Sequence, residues 1–242
     1  VLEGYAADAA GFVLPMLRPG DRVIDVGCGQ GAVTLSLGTA THPLRVVGVE
    51  ADYGEVTAAR KAAVRAAVST VDFVASDLAS LPFSTASIDV AFSSGLLERH
   101  PNPRDVIVEL SRVLRPGGLL AVSTVDWSKA KLRPKTANVD AALRGRQLLH
   151  RRSGGDPFAG RRVAEWVERA GFREVRARAR YRQDIGYREL ARRVESELAS
   201  AIQTDDGARD QQLASAARSA WMWVRDGSGD FSQCWMEVLA TR

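Results

Sequence analysis

Five short apolar runs, at 22–26, 45–49, 71–75, 88–93 and 119–125, alternate along the first half of the chain with segments whose apolar residues recur at helical spacing, at 32–37, 53–68 and 103–114. A run that is apolar throughout belongs to a strand buried on both faces, and strands joined through helices run parallel. The alternation therefore predicts an α/β fold with a doubly wound, mostly parallel sheet covered by helices on both sides. With 45% hydrophobic and 26% charged residues, the 242 residues suffice for one large core, so a single domain over 1–242 is expected. No apolar stretch approaches the roughly 20 residues that a membrane-spanning helix needs. The chain opens without a charged segment leading into an apolar one, and it has two cysteines, Cys28 and Cys234. Both features point to a reducing, cytoplasmic setting without a disulfide framework.

Beyond the fifth run the pattern loosens. Residues 129–152 read as irregular or partly helical, 160–170 as a helix, 175–181 as a sixth strand, 187–223 as helices and 234–241 as a final strand. The segment 182–230 is too long for a structureless connection and is expected to pack as a helical cap or lid. At the other end, 3–17 reads as a helix stopped by Arg18-Pro19-Gly20-Asp21.

The first strand runs directly into Asp25-Val26-Gly27-Cys28-Gly29-Gln30-Gly31, followed by a helix. Glycines admit left-handed backbone and a close ligand approach, and a helix start offers unpaired N–H groups. Such a turn alone suits any nucleotide, since Gly27-x-Gly29-x-x-Ala32 also meets the loose dinucleotide pattern. Three acids narrow the choice. Asp25 places negative charge beside the turn, which repels a diphosphate and tolerates an ammonium or sulfonium. Glu50 ends the second strand, where a carboxylate accepts ribose hydroxyls, and Asp77 ends the third, where it accepts from an adenine amine. A cofactor with ribose, adenine and a cationic amino-acid tail fits this set.

The motifs Val23-Ile24-Asp25-Val26-Gly27-Cys28-Gly29-Gln30-Gly31, Gly48-Val49-Glu50, Ala75-Ser76-Asp77-Leu78-Ala79-Ser80-Leu81-Pro82-Phe83 with Ser87-Ile88-Asp89-Val90, and Glu109-Leu110-Ser111-Arg112-Val113-Leu114-Arg115-Pro116-Gly117-Gly118 follow one another in this order. In them the chain resembles class I S-adenosylmethionine-dependent methyltransferases, of the small-molecule subgroup similar to ubiquinone and menaquinone biosynthesis methyltransferases. The resemblance implies a seven-stranded sheet with an antiparallel last strand, a helical substrate lid, and S-adenosylmethionine as cofactor with S-adenosylhomocysteine as product, without a metal. It implies that Gly27, Cys28 and Gly29 line the methionine part with Asp25 behind them. Glu50 and Ala51 would hold the ribose, Asp77 and Leu78 the adenine, and Ser93-Ser94 would form the mouth. The implied reaction is methyl transfer to oxygen, nitrogen or carbon of a small molecule, in bacterial secondary or cofactor metabolism. The alternatives are a non-methylating reaction on the same fold, such as a cyclisation, and RNA methylation.

The acceptor half is less legible. Where the family reads Leu-Glu-His, this chain reads Leu97-Glu98-Arg99-His100, so the histidine is displaced by one residue. The candidates for general base are His100, Glu98 and Asp126, the last at the carboxyl edge of the sheet beside Trp127. Trp127 and Tyr5 are candidate substrate contacts. Residues 128–193 hold 19 Lys and Arg against 7 Asp and Glu. Acids and apolar residues are interleaved and no aromatic ladder accompanies the arginines. The segment is therefore read as a solvated face, with anchoring of an anionic small substrate as the alternative, and nucleic acid and membrane are not expected as partners.

Overall fold

The computed structural model describes residues 9–40, 45–203, 210–225 and 227–242. Five strands, β1 (Arg22–Val26), β2 (Arg45–Glu50), β3 (Val71–Ala75), β4 (Ile88–Ser94) and β5 (Leu114–Val125), pair in parallel in the order β3-β2-β1-β4-β5. The last strand, β8 (Asp230–Thr241), is antiparallel to β5, and β7 (Arg173–Arg182) is antiparallel to β8. A three-residue strand, β6 (Lys131–Arg133), pairs with the start of β8 and has no counterpart in the sequence reading. The sheet is thus mostly parallel and flanked by helices: α1 (Ala32–Ala40), α2 (Tyr53–Arg65), α3 (Pro103–Val113), α4 (Ala137–Arg152), α5 (Val163–Arg169), α6 (Tyr187–Ile202) and α7 (Gln211–Arg225).

Side-chain alternation divides the core. Ile24, Val26, Leu120 and Val122 face Val106, Ile107 and Leu110 of α3 and Trp166 of α5. Val23, Val90, Phe92 and Ala121 face Phe12, Leu37 of α1 and Val56 of α2. Helix starts are specified locally: the Asp52 side chain accepts from Glu55 N, 2.9 Å, to begin α2, and Pro103 opens α3, where its missing N–H costs nothing. The Arg115-Pro116-Gly117-Gly118 segment does not end α3 as a separate turn. It is a bulge inside β5, with Ile88 opposite Leu114 and Val90 opposite Leu119, and Gly117 supplies the left-handed residue (φ +75°).

The basic stretch after β5 is more ordered than its composition suggests. Thr136 caps α4, which runs 16 residues to Arg152, because Val139, Ala142 and Leu143 find a partner. That partner is the helix pair between β7 and β8. Leu190, Val194 and Leu198 of α6 and Leu213, Ala220 and Trp223 of α7 form a third apolar cluster with α4, and Gly145 of α4 lies so close to α7 that a Cβ there would stand 2.3 Å from Ala216. The expected insertion 182–230 thus packs together with a helix from the preceding segment. Of the expected N-terminal helix 3–17, residues 3–8 lie outside the described residues, and the described part ends in a 3-10 turn at Leu14–Met16.

Candidate cofactor and acceptor site

The turn after β1 is pinned to β2, since Gly27 N and Cys28 N both donate to Val49 O, 2.8 and 3.2 Å. Its glycines have different tasks. A Cβ on Gly27 would come within 2.9 Å of Leu96 and one on Gly31 within 2.7 Å of the Phe73 ring, so both make close packing possible. Gly29 has φ +52° and a Cβ there would meet nothing within 4 Å. It faces open space, the start of a cavity of about 160 Å³ lined by Asp25, Gly27, Cys28, Gly29, Gln30, Phe92, Ser94 and Arg99.

Asp25 is 2% exposed and accepts a 2.7 Å hydrogen bond from Thr34 Oγ1. Burial raises its pKa to about 7, against the Thr34 bond and with a smaller push from the Glu50 carboxylate. The same burial, with Asp25 and Glu50 nearby, pushes the Cys28 thiol far above its ordinary range, so it stays protonated and is no nucleophile. Glu50 spans the end of β2 and the glycine turn: Oε2 accepts from Gly29 N at 3.0 Å and Oε1 from Ala51 N at 2.8 Å. Asp77 is exposed, and its Oδ1 accepts from Ala79 N in a tight turn, whereas Leu78 is buried in the core beside Leu81.

Strand alternation separates the two serines at the end of β4. Ser93 is 1% exposed and donates to Val26 O, 2.7 Å, which ties β4 to β1, while Ser94 lines the cavity. Arg99 also lines it, with Nε donating to Gly95 O at 2.5 Å. Sequence reasoning did not select Arg99. Its signal was present as the residue standing where the resemblance expects histidine.

The three base candidates are not together. Glu98 is buried and accepts from Thr124 Oγ1 at 2.6 Å, and its Oε1 lies 3.6 Å from where a Cβ on Gly95 would stand. His100 accepts from Asn102 N through Nδ1 and lines a separate groove with Arg104, Asp156 and Arg162. Asp126 is fully buried and accepts from Ser128 N, 2.9 Å. It packs against Gly160, on the opposite sheet face from Asp25. Trp127 stacks on Phe231, 5.9 Å between centroids, and joins the cap cluster. Tyr5 lies outside the described residues.

Residues 24–122 match the family described as a methyltransferase domain. That segment is a methyltransferase domain. Over 116 residues, 48% of this chain and 42% of the relative, the protein is 38% identical to the 27-O-demethylrifamycin SV methyltransferase of Amycolatopsis mediterranei. It is 26% identical over 234 residues, 91% of this chain and 84% of the other, to an uncharacterized methyltransferase of Schizosaccharomyces pombe. The chain thus spans less than half the length of the rifamycin relative. Among solved structures, the [4+2]-cyclase SpnF superposes with TM-score 0.63 at 23% identity, over 100% of this chain and 80% of that one. A phosphoethanolamine N-methyltransferase 2 of Haemonchus contortus, solved with S-adenosyl-L-methionine, superposes with TM-score 0.62 at 16% identity, over 99% of this chain and 52% of that one. At these identities the likeness shows the fold.

The residues present fit S-adenosylmethionine. A buried carboxylate held near neutrality in a glycine-walled cavity is under-compensated, and a cationic group placed beside it relieves the cost. A second carboxylate, Glu50, closes the same turn, so the site is anionic where a dinucleotide would place its diphosphate. Among the described residues no group of His, Cys, Asp and Glu could hold a metal ion.

Proposed function

We propose that the protein transfers the methyl group of S-adenosylmethionine to an oxygen, nitrogen or carbon of a small-molecule acceptor. The observation that carries this is the buried Asp25, with its pKa near 7, in a cavity also lined by the open glycine, Gly29. The cofactor, when bound, supplies an electrophilic methyl on a positively charged sulfur. Asp25 would take the ammonium of the amino-acid tail and Arg99 its carboxylate, since the two flank one cavity with opposite charge. Glu50 would accept from the ribose hydroxyls with Ala51 alongside, and Asp77 and Leu78 would border the adenine.

The chain's contribution to the reaction is alignment and exclusion of water, with a base needed only when the acceptor must lose a proton. Glu98 is the base in this reading: of the three candidates it alone reaches Gly95, next to the cavity residue Ser94, and Thr124 fixes its orientation. The helices between β7 and β8 would cover the acceptor as a lid. Incubation with methyl-labelled S-adenosylmethionine and candidate acceptors tests the proposal: label on the acceptor, with one S-adenosylhomocysteine per turnover, is expected.

One observation favours a second reading. The imidazole of His100, a frequent base at the family position beside it, lies outside the cavity, as suits a reaction that moves no methyl group. In that reading acceptor turnover proceeds without release of S-adenosylhomocysteine.

A further inference from the structure

We propose that His150, on the last turn of α4, is a positioning residue of the cofactor site: it fixes the peptide between Glu98 and Arg99 and so sets where Arg99 meets the amino-acid tail. The inference rests on the reading that the cavity at the glycine turn takes S-adenosylmethionine, with Arg99 on the tail carboxylate.

The contact joins distant parts of the chain. His150 Nε2 lies 2.6 Å from the backbone oxygen of Glu98, 52 residues away. A carbonyl oxygen only accepts, so Nε2 carries the proton and donates. Asp156 N donates to the same oxygen at 2.7 Å. Both lone pairs of one carbonyl are therefore engaged from two points of the segment 150–156. Glycine makes the approach possible: a Cβ on Gly155 would stand 2.4 Å from His150 Nε2 and 2.7 Å from Glu98 O. Gly154 takes left-handed backbone, φ +88°, and the turn closes with Gly154 N donating to Arg151 O and Gly155 N to His150 O, both 3.0 Å. This is a Schellman-type end to α4, and its local bonds set the backbone at His150.

The place of the contact in the turn between β4 and α3 shows what it does. Leu96 and Leu97 are buried in the core, and the Glu98 side chain is held by Thr124 Oγ1. Arg99 is the first exposed residue after them. A peptide unit is planar, so the carbonyl of Glu98 and the N–H of Arg99 turn as one body. That N–H donates to Leu96 O at 2.8 Å. With its oxygen held by His150 and Asp156 and its N–H by Leu96, the unit has one orientation, and Arg99 leaves the turn in one direction. Its Nε then donates to Gly95 O, and the side chain lines the cavity with Asp25 and Ser94. Without the anchor, each binding event would bear the entropy of ordering this turn. His150 does not line that cavity, so its effect runs through Arg99.

Calorimetry on the full chain with S-adenosylhomocysteine and with methylthioadenosine, which lacks the tail, tests this in the wild type, His150→Leu, His150→Asn and His150→Gln. The amide nitrogen of glutamine stands as many bonds from the backbone as Nε2, and that of asparagine one bond fewer. His150→Leu and His150→Asn should each weaken S-adenosylhomocysteine at least fivefold and leave methylthioadenosine within twofold. His150→Gln should bind both within twofold of the wild type. Without ligand, amide exchange at Arg99 and His100 should quicken at least fivefold in His150→Leu and His150→Asn and not in His150→Gln. S-adenosylhomocysteine affinity unchanged in His150→Leu and His150→Asn, equal loss of both ligands, no rescue in His150→Gln, or unchanged exchange at Arg99 and His100 overturns the inference. Failure of the wild type to bind S-adenosylhomocysteine, or an Arg99→Ala variant that binds it as tightly as the wild type, instead overturns the reading beneath it.

Discussion

Asp25 serves two opposed requirements. It must be an anion to receive a cationic tail, yet burial holds its pKa at about 7. An unfolded aspartate loses its proton near pH 4 and the folded one near pH 7, so the native state binds the extra proton between these values. Stability without cofactor therefore falls as pH rises from about 4 to about 7 and stays low above it. Asp25→Asn is expected to raise Tm by several degrees at pH 8 but not at pH 5, and to weaken S-adenosylmethionine at least tenfold at pH 8. Thermal melts at both pH values with calorimetry at pH 8 check this, and a lower Tm at pH 8 would contradict it. Arg99 carries the complementary charge. Arg99→Ala should weaken S-adenosylhomocysteine about tenfold or more and leave methylthioadenosine, which lacks the amino-acid tail, unchanged. Parallel titrations of the two ligands decide it.

At the scale of elements, the parts legible in the sequence are those set by local chemistry. Buried strands that are mostly apolar, an aspartate cap before α2, a proline at the start of α3 and glycines at the β1 turn all announce themselves. What escaped depends on partners distant in sequence. Helix α4 looked irregular because its apolar stripe is short and basic residues crowd it, and it is completed by α6 and α7, some 40 to 80 residues later in the chain. The roles of Ser93 and Ser94 depended on which way β4 presents its alternate residues, and Arg99 on a loop path that no periodicity encodes. Trp223 is the central contact of the cap, 1% exposed and edge-on to Tyr187 at 5.4 Å. Trp223→Ala is expected to cost about 3–5 kcal/mol locally and to speed amide exchange across α4, α6 and α7. Affinity for S-adenosylhomocysteine should change little, since the cap cluster and the glycine turn share no residue. Hydrogen exchange and calorimetry on one variant test both halves.

For the whole molecule, the uneven charge acquires a structural account. Many arginines of 128–193 pair with acids across the cap and the sheet edge, as in Arg146 with Glu197, Arg152 with Asp210 and Arg162 with Asp156. Exposed pairs of this kind contribute little stability each. They do make the segment an ion-paired face, and the arginines of β7 share in it, Arg178 with Glu237 and Arg182 with Asp184. The remainder of the chain is mildly acidic, and the proposed cofactor site, built on Asp25 and Glu50, lies there. The family match lies within that portion, at 24–122, while β6, β7, β8 and the cap lie beyond it.

The most direct test of this account is calorimetric titration of the wild type and of Glu50→Ala with S-adenosylhomocysteine and with NADP. Binding of S-adenosylhomocysteine alone is predicted, weakened tenfold or more in the variant while its circular dichroism is unchanged. Tight NADP binding without a response to S-adenosylhomocysteine would contradict it.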